Sequence, residues 1–374
     1  MITGLSYGSG GMADGRAGRR VGERTGGRTA GARAVRGSGL AGARMGDPGV
    51  AVIARDAPAR TLLEMKIAFT GKGGSGKSTL AALFVGYLRA SGHRVLAVDA
   101  DVNVHLAALL GVTTTAGAAL SHPDNVRRVR THLLGDNPRV DGVEHFVATT
   151  PPGPGSNLVT LDAADPVLAG HATRLDDGTH VLHVGTYEPQ DIGSGCYHGH
   201  LAILENLLSH LSLDAGDWVV CDMVAGTDAF ANSLHAQFDV IVVVAEPTPE
   251  SVSVARRYRE LAAAAGVADL LAVVGNKVAD GTDREYLTRE LGGEPLTVLT
   301  TQAGLRRARQ RGVPPRVQDL DDVTPLAVIA EHAGGREMPG ERRDALMRTL
   351  HLRLARKGWV RAAHGDVSTQ LAEV

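Results

Sequence analysis

Seven short, largely apolar runs punctuate the chain, at residues 66–70, 94–98, 180–185, 218–222, 239–245, 270–275 and 295–300. Near-continuous runs of this length fit strands buried on both faces. Between them the apolar residues fall at helical spacing. One such stretch covers 80–90, and another covers 201–211 with Leu201, Leu204, Leu207, Leu208 and Leu211 on one face. A third leaves the Glu246–Glu250 turn and runs to about Ala265, where Gly266 stops it. Strands separated by helices predict an α/β fold with a mostly parallel sheet and helices on both faces. Residues 113–178 carry the weakest pattern: Asn125–Leu134 reads as a helix and Pro151–Gly155 as a loop. We read that region as an insertion beside the phosphate-binding site and assign it no chemistry. After Asp319 the pattern turns helical, and Leu346, Leu350 and Leu354 form a stripe on an arginine-rich helix. Packing against the domain is the expected fate of that stripe, with membrane contact as the alternative.

The first 64 residues have no such pattern. They are rich in Gly, Arg and Ala, which bury too little surface to offset the entropy of ordering, so a disordered extension is expected. They also lack the roughly 7–15-residue apolar segment of a secretory signal. Met65 directly precedes the first strand, and we expect it to be the true initiator. The organisation expected is therefore an extension at 1–64, a core domain at 65–320 and a helical tail at 321–374. Charge divides along the same line. Residues 1–64 carry ten Arg against five acids, a balance of +5; with the whole chain at −2, residues 65–374 stand at −7. A mildly acidic domain argues against nucleic-acid binding through bulk charge. Two cysteines, Cys196 and Cys221, cannot build a disulfide framework and point to a reducing cytoplasm. No apolar run reaches the roughly 20 residues that span a bilayer.

Chemistry concentrates at the ends of the predicted strands. Gly71-Lys72-Gly73-Gly74-Ser75-Gly76-Lys77-Ser78-Thr79 fits G-x-x-x-x-G-K-[ST] and lies between a strand and a helix, the context a phosphate-binding loop requires. Backbone N–H groups and the helix N-terminus would cradle phosphate, Lys77 would reach the β- and γ-phosphates of ATP, and Ser78 would ligate Mg2+. The second strand ends in Asp99-Ala100-Asp101, and the strand at 218–222 ends in Asp222, followed by Gly226 in an Asp-x-x-x-Gly pattern. His180 and His183 alternate along their strand and read as ordinary strand positions. Cys196 and His198 crowd the start of the 201–211 helix, offering ligands that Ni2+ or Zn2+ accepts. One copy supplies too few ligands, whereas two copies across a symmetric dimer would give S2N2. By spacing alone, a helix-start cysteine beside exposed histidines is the simpler alternative.

Lys72, directly after the first glycine, makes this loop resemble the deviant phosphate-binding loop of the ParA/MinD superfamily of ATPases. The resemblance implies that Lys72 crosses an ATP-dependent homodimer interface to the partner's phosphates. It also implies that Asp101 orients the attacking water, that Asp99 lies near the metal and that Asp222 supports Mg2+. Asn276 would bond the adenine edge with Lys277 beside it at the nucleotide site, and the Gly226 N–H would sense the γ-phosphate. Within the superfamily, the Met65–Gly74 segment, Gly195-Cys196-Tyr197 before a leucine-rich helix, and Asp222-Met223 with Ala225-Gly226 are similar to the CooC-like nickel-insertion ATPases that mature carbon monoxide dehydrogenase. That family carries Cys-x-Cys where this chain has Cys196 and His198, so the resemblance implies a metal site of altered composition. The function expected is a cytoplasmic, ATP-hydrolysing metallochaperone switch with a metalloenzyme client. The alternative is a partition or positioning ATPase whose ATP dimer binds DNA or membrane. An iron–sulfur reductase is disfavoured, because one cysteine per subunit falls short of four thiolates.

Overall fold

A computed structural model describes residues 64–187 and 197–372. The expected extension up to residue 63 and the segment holding Cys196 lie outside the described residues. In chain order, β1 (Met65–Gly71) leads into α1 (Lys77–Ala90), then β2 (Arg94–Ala100) and the short α2 (His105–Leu109). The weakly patterned region holds α3 (Pro123–Leu134), α4 (Pro166–His171) and the two-residue β3 (Thr173–Arg174), and ends at β4 (His180–His183). Next come α5 (Tyr197–Ser209), β5 (Asp217–Met223), β6 (Val240–Ala245) and α6 (Pro249–Ala265). They are followed by β7 (Leu271–Val278), α7 (Gly281–Leu291), β8 (Thr297–Thr300) and α8 (Ala303–Gln310). Three helices close the chain: α9 (Thr324–Ala333), α10 (Gly340–Ala355) and α11 (Gly358–His364).

Among the described residues, eight strands form one sheet in the order β3-β4-β2-β5-β1-β6-β7-β8. Every pairing is parallel except that of β3 with β4. Period-two alternation divides each central strand between two cores. Ile67, Phe69, Val220, Val240 and Val242 pack with Leu80, Leu83 and Phe84 of α1 on one face. Ala68, Val219, Cys221, Ile241 and Val243 pack with Leu204, Leu208 and Tyr258 on the other. Cys221 is thus a small buried core residue, and burial pushes its thiol well above its ordinary range.

The region 113–178 joins the second core through Leu120, Val129, Leu133, Phe146 and Val159. None of its residues lines either cavity at the phosphate loop; most of its buried apolar residues cover the opposite sheet face, while Leu175 and Asp177 reach the α1 side, where Asp177 pairs with Arg89. Sequence-level helix ends also agree with local chemistry. The Thr248 hydroxyl accepts from the Ser251 N–H to start α6, and Gly266 stops it at φ 75°. The leucine stripe of α10 faces the domain: Leu346 packs beside Val267 and Met338, and Leu354 beside Val147 and Val360. Arg342 pairs with Asp269 at 2.7 Å, Arg343 pairs with the buried Asp239, and His351 bonds the Val367 carbonyl at 2.8 Å. Among the described residues, no helix is long and apolar enough to cross a membrane.

Candidate nucleotide site

β1 delivers the chain to the carboxyl edge of the sheet, where the loop 71–76 turns into α1. Glycine is required at both ends of that turn. Gly71 has φ 148°, and a Cβ there would strike the Val244 carbonyl of the neighbouring strand. Gly76 has φ 93°, and a Cβ would strike the Asn276 side-chain amide. The Ser75 N–H donates to the Lys72 carbonyl at 3.0 Å, closing the loop, and α1 begins at Lys77 with its first-turn N–H groups at the cleft.

Strand register assembles the charged groups. Asp99 of β2 and Asp222 of β5 are Cα partners, and strand alternation sets both on the α1 face. Lys77, Asp99, Asp101 and Asp222 are all buried. The Lys77 ammonium forms an ion pair with Asp101 Oδ2 and lies 3.6 Å from Asp222 Oδ1 and 3.5 Å from the Ser78 hydroxyl. The two acids of the Asp-Ala-Asp stretch divide their tasks. Asp101 also accepts from the Asn103 N–H and side-chain amide, each at 2.9 Å. Burial raises its carboxyl, but the bonds from Lys77 and Asn103 outweigh burial and hold it below the usual range. Asp99 instead accepts from the Ala107 N–H at 3.0 Å and the Asp101 N–H at 3.4 Å, fixing α2 against β2. Burial, and then the neighbouring Asp222, push Asp99 up to about 7.

Asp222 is different in kind. It is fully buried, neither carboxylate oxygen has a donor in full hydrogen-bond geometry, and burial pushes it up to about 6 against the pull of Lys77 and of the nearby Ser78 hydroxyl. Orphaned buried oxygens beside a serine hydroxyl are the donor set that a hard cation satisfies, so these residues fit Mg2+. Among the described residues, no group of three or more His, Cys, Asp or Glu side chains converges as a closed metal site. Mg2+ would therefore be held by Ser78 and Asp222, with nucleotide oxygens and water completing its shell.

Two adjoining cavities extend from the loop. One, of about 390 Å3, is lined by Lys77, Ser78, Asp101, Ala225 and Arg309. The other, of about 410 Å3, has apolar walls from Leu80, Leu83, Leu299 and Leu305, with Asn276 at its edge. Gly76, Thr79 and Arg309 border both. A charged end joined to an apolar end matches a nucleotide's phosphates and base.

Of the remaining predicted residues, Asn276 and Lys277 border this cleft. Asn276 donates to the Ser75 carbonyl at 2.7 Å, and Lys277, at φ 58°, donates to the Gly74 carbonyl at 2.7 Å while pairing with Glu246. The end of β7 therefore clamps the phosphate loop as well as bordering the apolar cavity. The Gly226 N–H, expected to sense the γ-phosphate, donates to the Gly71 carbonyl at 3.0 Å, so it must leave that bond to reach a ligand. Lys72 is half-buried, and among the described residues no side chain pairs with its ammonium. Cys196 lies outside the described residues, and only the backbone of His198, in the first turn of α5, is described. Sequence reasoning missed Arg309. The available signal was an arginine-rich run directly after the last strand, where a parallel sheet binds its ligands.

The CobQ/CobB/MinD/ParA nucleotide binding domain family matches residues 66–315. The carbon monoxide dehydrogenase accessory protein CooC of Rhodospirillum rubrum is 31% identical over 234 residues, covering 60% of this chain and 78% of that protein. An uncharacterized ATP-binding protein of Methanocaldococcus jannaschii is 30% identical over 236 residues, covering 62% of this chain and 83% of that protein. Among solved structures, a ParA family ATPase from Chlorobium tepidum TLS shares the fold, with TM-score 0.50 and 15% identity over 72% of this chain and 98% of that one.

Proposed function

The chain belongs to the CobQ/CobB/MinD/ParA nucleotide-binding family, and on that premise we propose that it is an ATP-hydrolysing dimeric switch serving as a metallochaperone for a metalloenzyme of the carbon monoxide dehydrogenase type. The observation that carries the ATPase reading is the buried cluster of Lys77, Asp101 and Asp222 at the mouth of the phosphate loop. Without nucleotide, Lys77 is neutralised by Asp101. ATP would compete for Lys77 through its β- and γ-phosphates and release the Asp101 carboxylate, leaving it free to accept a hydrogen bond from the attacking water. Asp222 and Ser78 would hold Mg2+ against the same phosphates. Lys72, without a partner among the described residues, would reach the phosphates of a second copy and stabilise the transferring phosphoryl group.

The metallochaperone part is supported by the 31% identity to CooC and by the Cys196-x-His198 pair before α5. Nickel or zinc is the cargo in this reading, held by two Cys196/His198 pairs across the dimer. Metal content of the dimer bound to a slowly hydrolysed ATP analogue tests it. About one nickel or zinc per dimer, lost on Cys196→Ala, is expected; a metal-free dimer contradicts the cargo role.

A positioning switch that binds nucleic acid draws on a separate observation, the exposed Arg306, Arg307, Arg309 and Arg311 on and just after α8. Duplex binding that weakens steeply with salt would favour it.

A further inference from the structure

Away from the nucleotide cleft, a cavity of about 480 Å3 opens between α5, residues 146–149, residues 230–233 and the two last helices. Its size falls in the roughly 300–1,000 Å3 range of small-molecule sites. Phe146, Val147, Phe230, Leu350 and Leu354 give it apolar walls, and Trp359, 64% exposed, stands at its solvent side. Three cations, Arg130, Arg353 and Lys357, share that lining. Among the described residues, Arg130 makes one hydrogen bond, from Nε to the Asn206 side-chain carbonyl at 3.0 Å, and no carboxylate pairs with it. Arg353 and Lys357 likewise have no acidic partner there. The acid on the wall, Glu205, receives both the N–H and the hydroxyl of Ser233.

A neutral apolar ligand would gain nothing from Arg130 and the two exposed cations at the rim, Arg353 and Lys357, and a small inorganic anion would leave the apolar walls in water. A molecule with an apolar body and one acidic head satisfies both. The arginine-rich residues 1–64 have the wrong sign to be the occupant. The wall built by α10 and α11 lies beyond the 66–315 family domain, so the cavity is an addition to the nucleotide-binding core.

We propose that this cavity binds an amphipathic organic anion, a single apolar chain or ring carrying one carboxylate or phosphate head. Titration calorimetry of the full chain with decanoate, and with decyltrimethylammonium as the chain-matched cation, tests it. Saturable decanoate binding about tenfold or more tighter than that of the cation is expected. The double variant Arg353→Glu/Lys357→Glu, both exposed positions, should lower decanoate affinity by about tenfold or more. Ala202→Trp, which fills the cavity from α5 without changing charge, should abolish binding while the circular dichroism spectrum is retained. Equal binding of the two probes, charge reversal that leaves decanoate affinity within about twofold, or binding to phosphatidylglycerol vesicles with none to free decanoate overturns the proposal.

Discussion

Replacing Asp222 with asparagine should stabilise the nucleotide-free protein while removing its Mg2+ site. The side chain is fully buried, has no donor in full hydrogen-bond geometry, and faces Asp99 from the adjacent strand. Its carboxyl is pushed from 3.8 to about 6. A shift of about two units corresponds to roughly 3 kcal/mol of destabilisation once the group is ionised in the folded state. An asparagine amide keeps an acceptor toward Lys77 and turns a donor toward Asp99, but its incomplete bonding costs about 1 kcal/mol. The net expectation is a gain of about 2 kcal/mol, or a Tm rise of about 3 °C at this chain size. The sign depends on pH. Because the folded carboxyl sits above its unfolded value, the wild type is unpenalised below pH 3.8 and loses stability as pH rises through about 6. The variant escapes that loss. Thermal unfolding in EDTA should therefore show a large gap between variant and wild type at pH 8 that closes towards pH 4.5. A variant less stable than wild type at pH 8, or a gap independent of pH, refutes the reasoning. Such a site, costly without its ligand, is what a cation-binding centre requires.

Three further outcomes follow from the same geometry. Lys66 is buried, donates to the Leu208 carbonyl at 3.1 Å and is lowered to about 8 by burial and then by Arg343; its unfolded value is 10.5, so wild-type stability should rise between pH 8 and 10.5. Urea unfolding of Lys66→Met should lack that rise, a difference of about 2–3 kcal/mol by pH 10. Arg309→Ala, at the junction of the two cavities, should weaken ATP binding about tenfold in a fluorescent-nucleotide titration with Tm unchanged. Lys72→Ala should retain ATP binding but lose about a thousandfold in phosphate release.

The central sheet was legible because parallel strands buried on both faces appear as uninterrupted apolar runs, and the phosphate loop because its glycines and lysines have fixed spacing. The resemblance separated Asp99 from Asp101, but the contacts that set them apart were not legible. Two identical side chains two residues apart acquire different roles only when α2 brings the Ala107 N–H to one and α1 brings Lys77 to the other. Residues 113–178 were opaque because Leu120, Phe146 and Val159 reach the core singly from short irregular pieces, which leave no period to read. The clamp by Asn276 and Lys277 was hidden as well, since sequence shows two polar residues at a strand end but not the Gly76 backbone against which one of them packs.

The central claim is a nucleotide-driven dimer, and the most direct measurement is molar mass by light scattering with and without Mg2+ and a slowly hydrolysed ATP analogue. The account predicts the 39.0 kDa chain mass without nucleotide and about twice that mass with it. A protein that binds the analogue at saturation yet keeps its monomer mass contradicts the claim and removes the role given to Lys72.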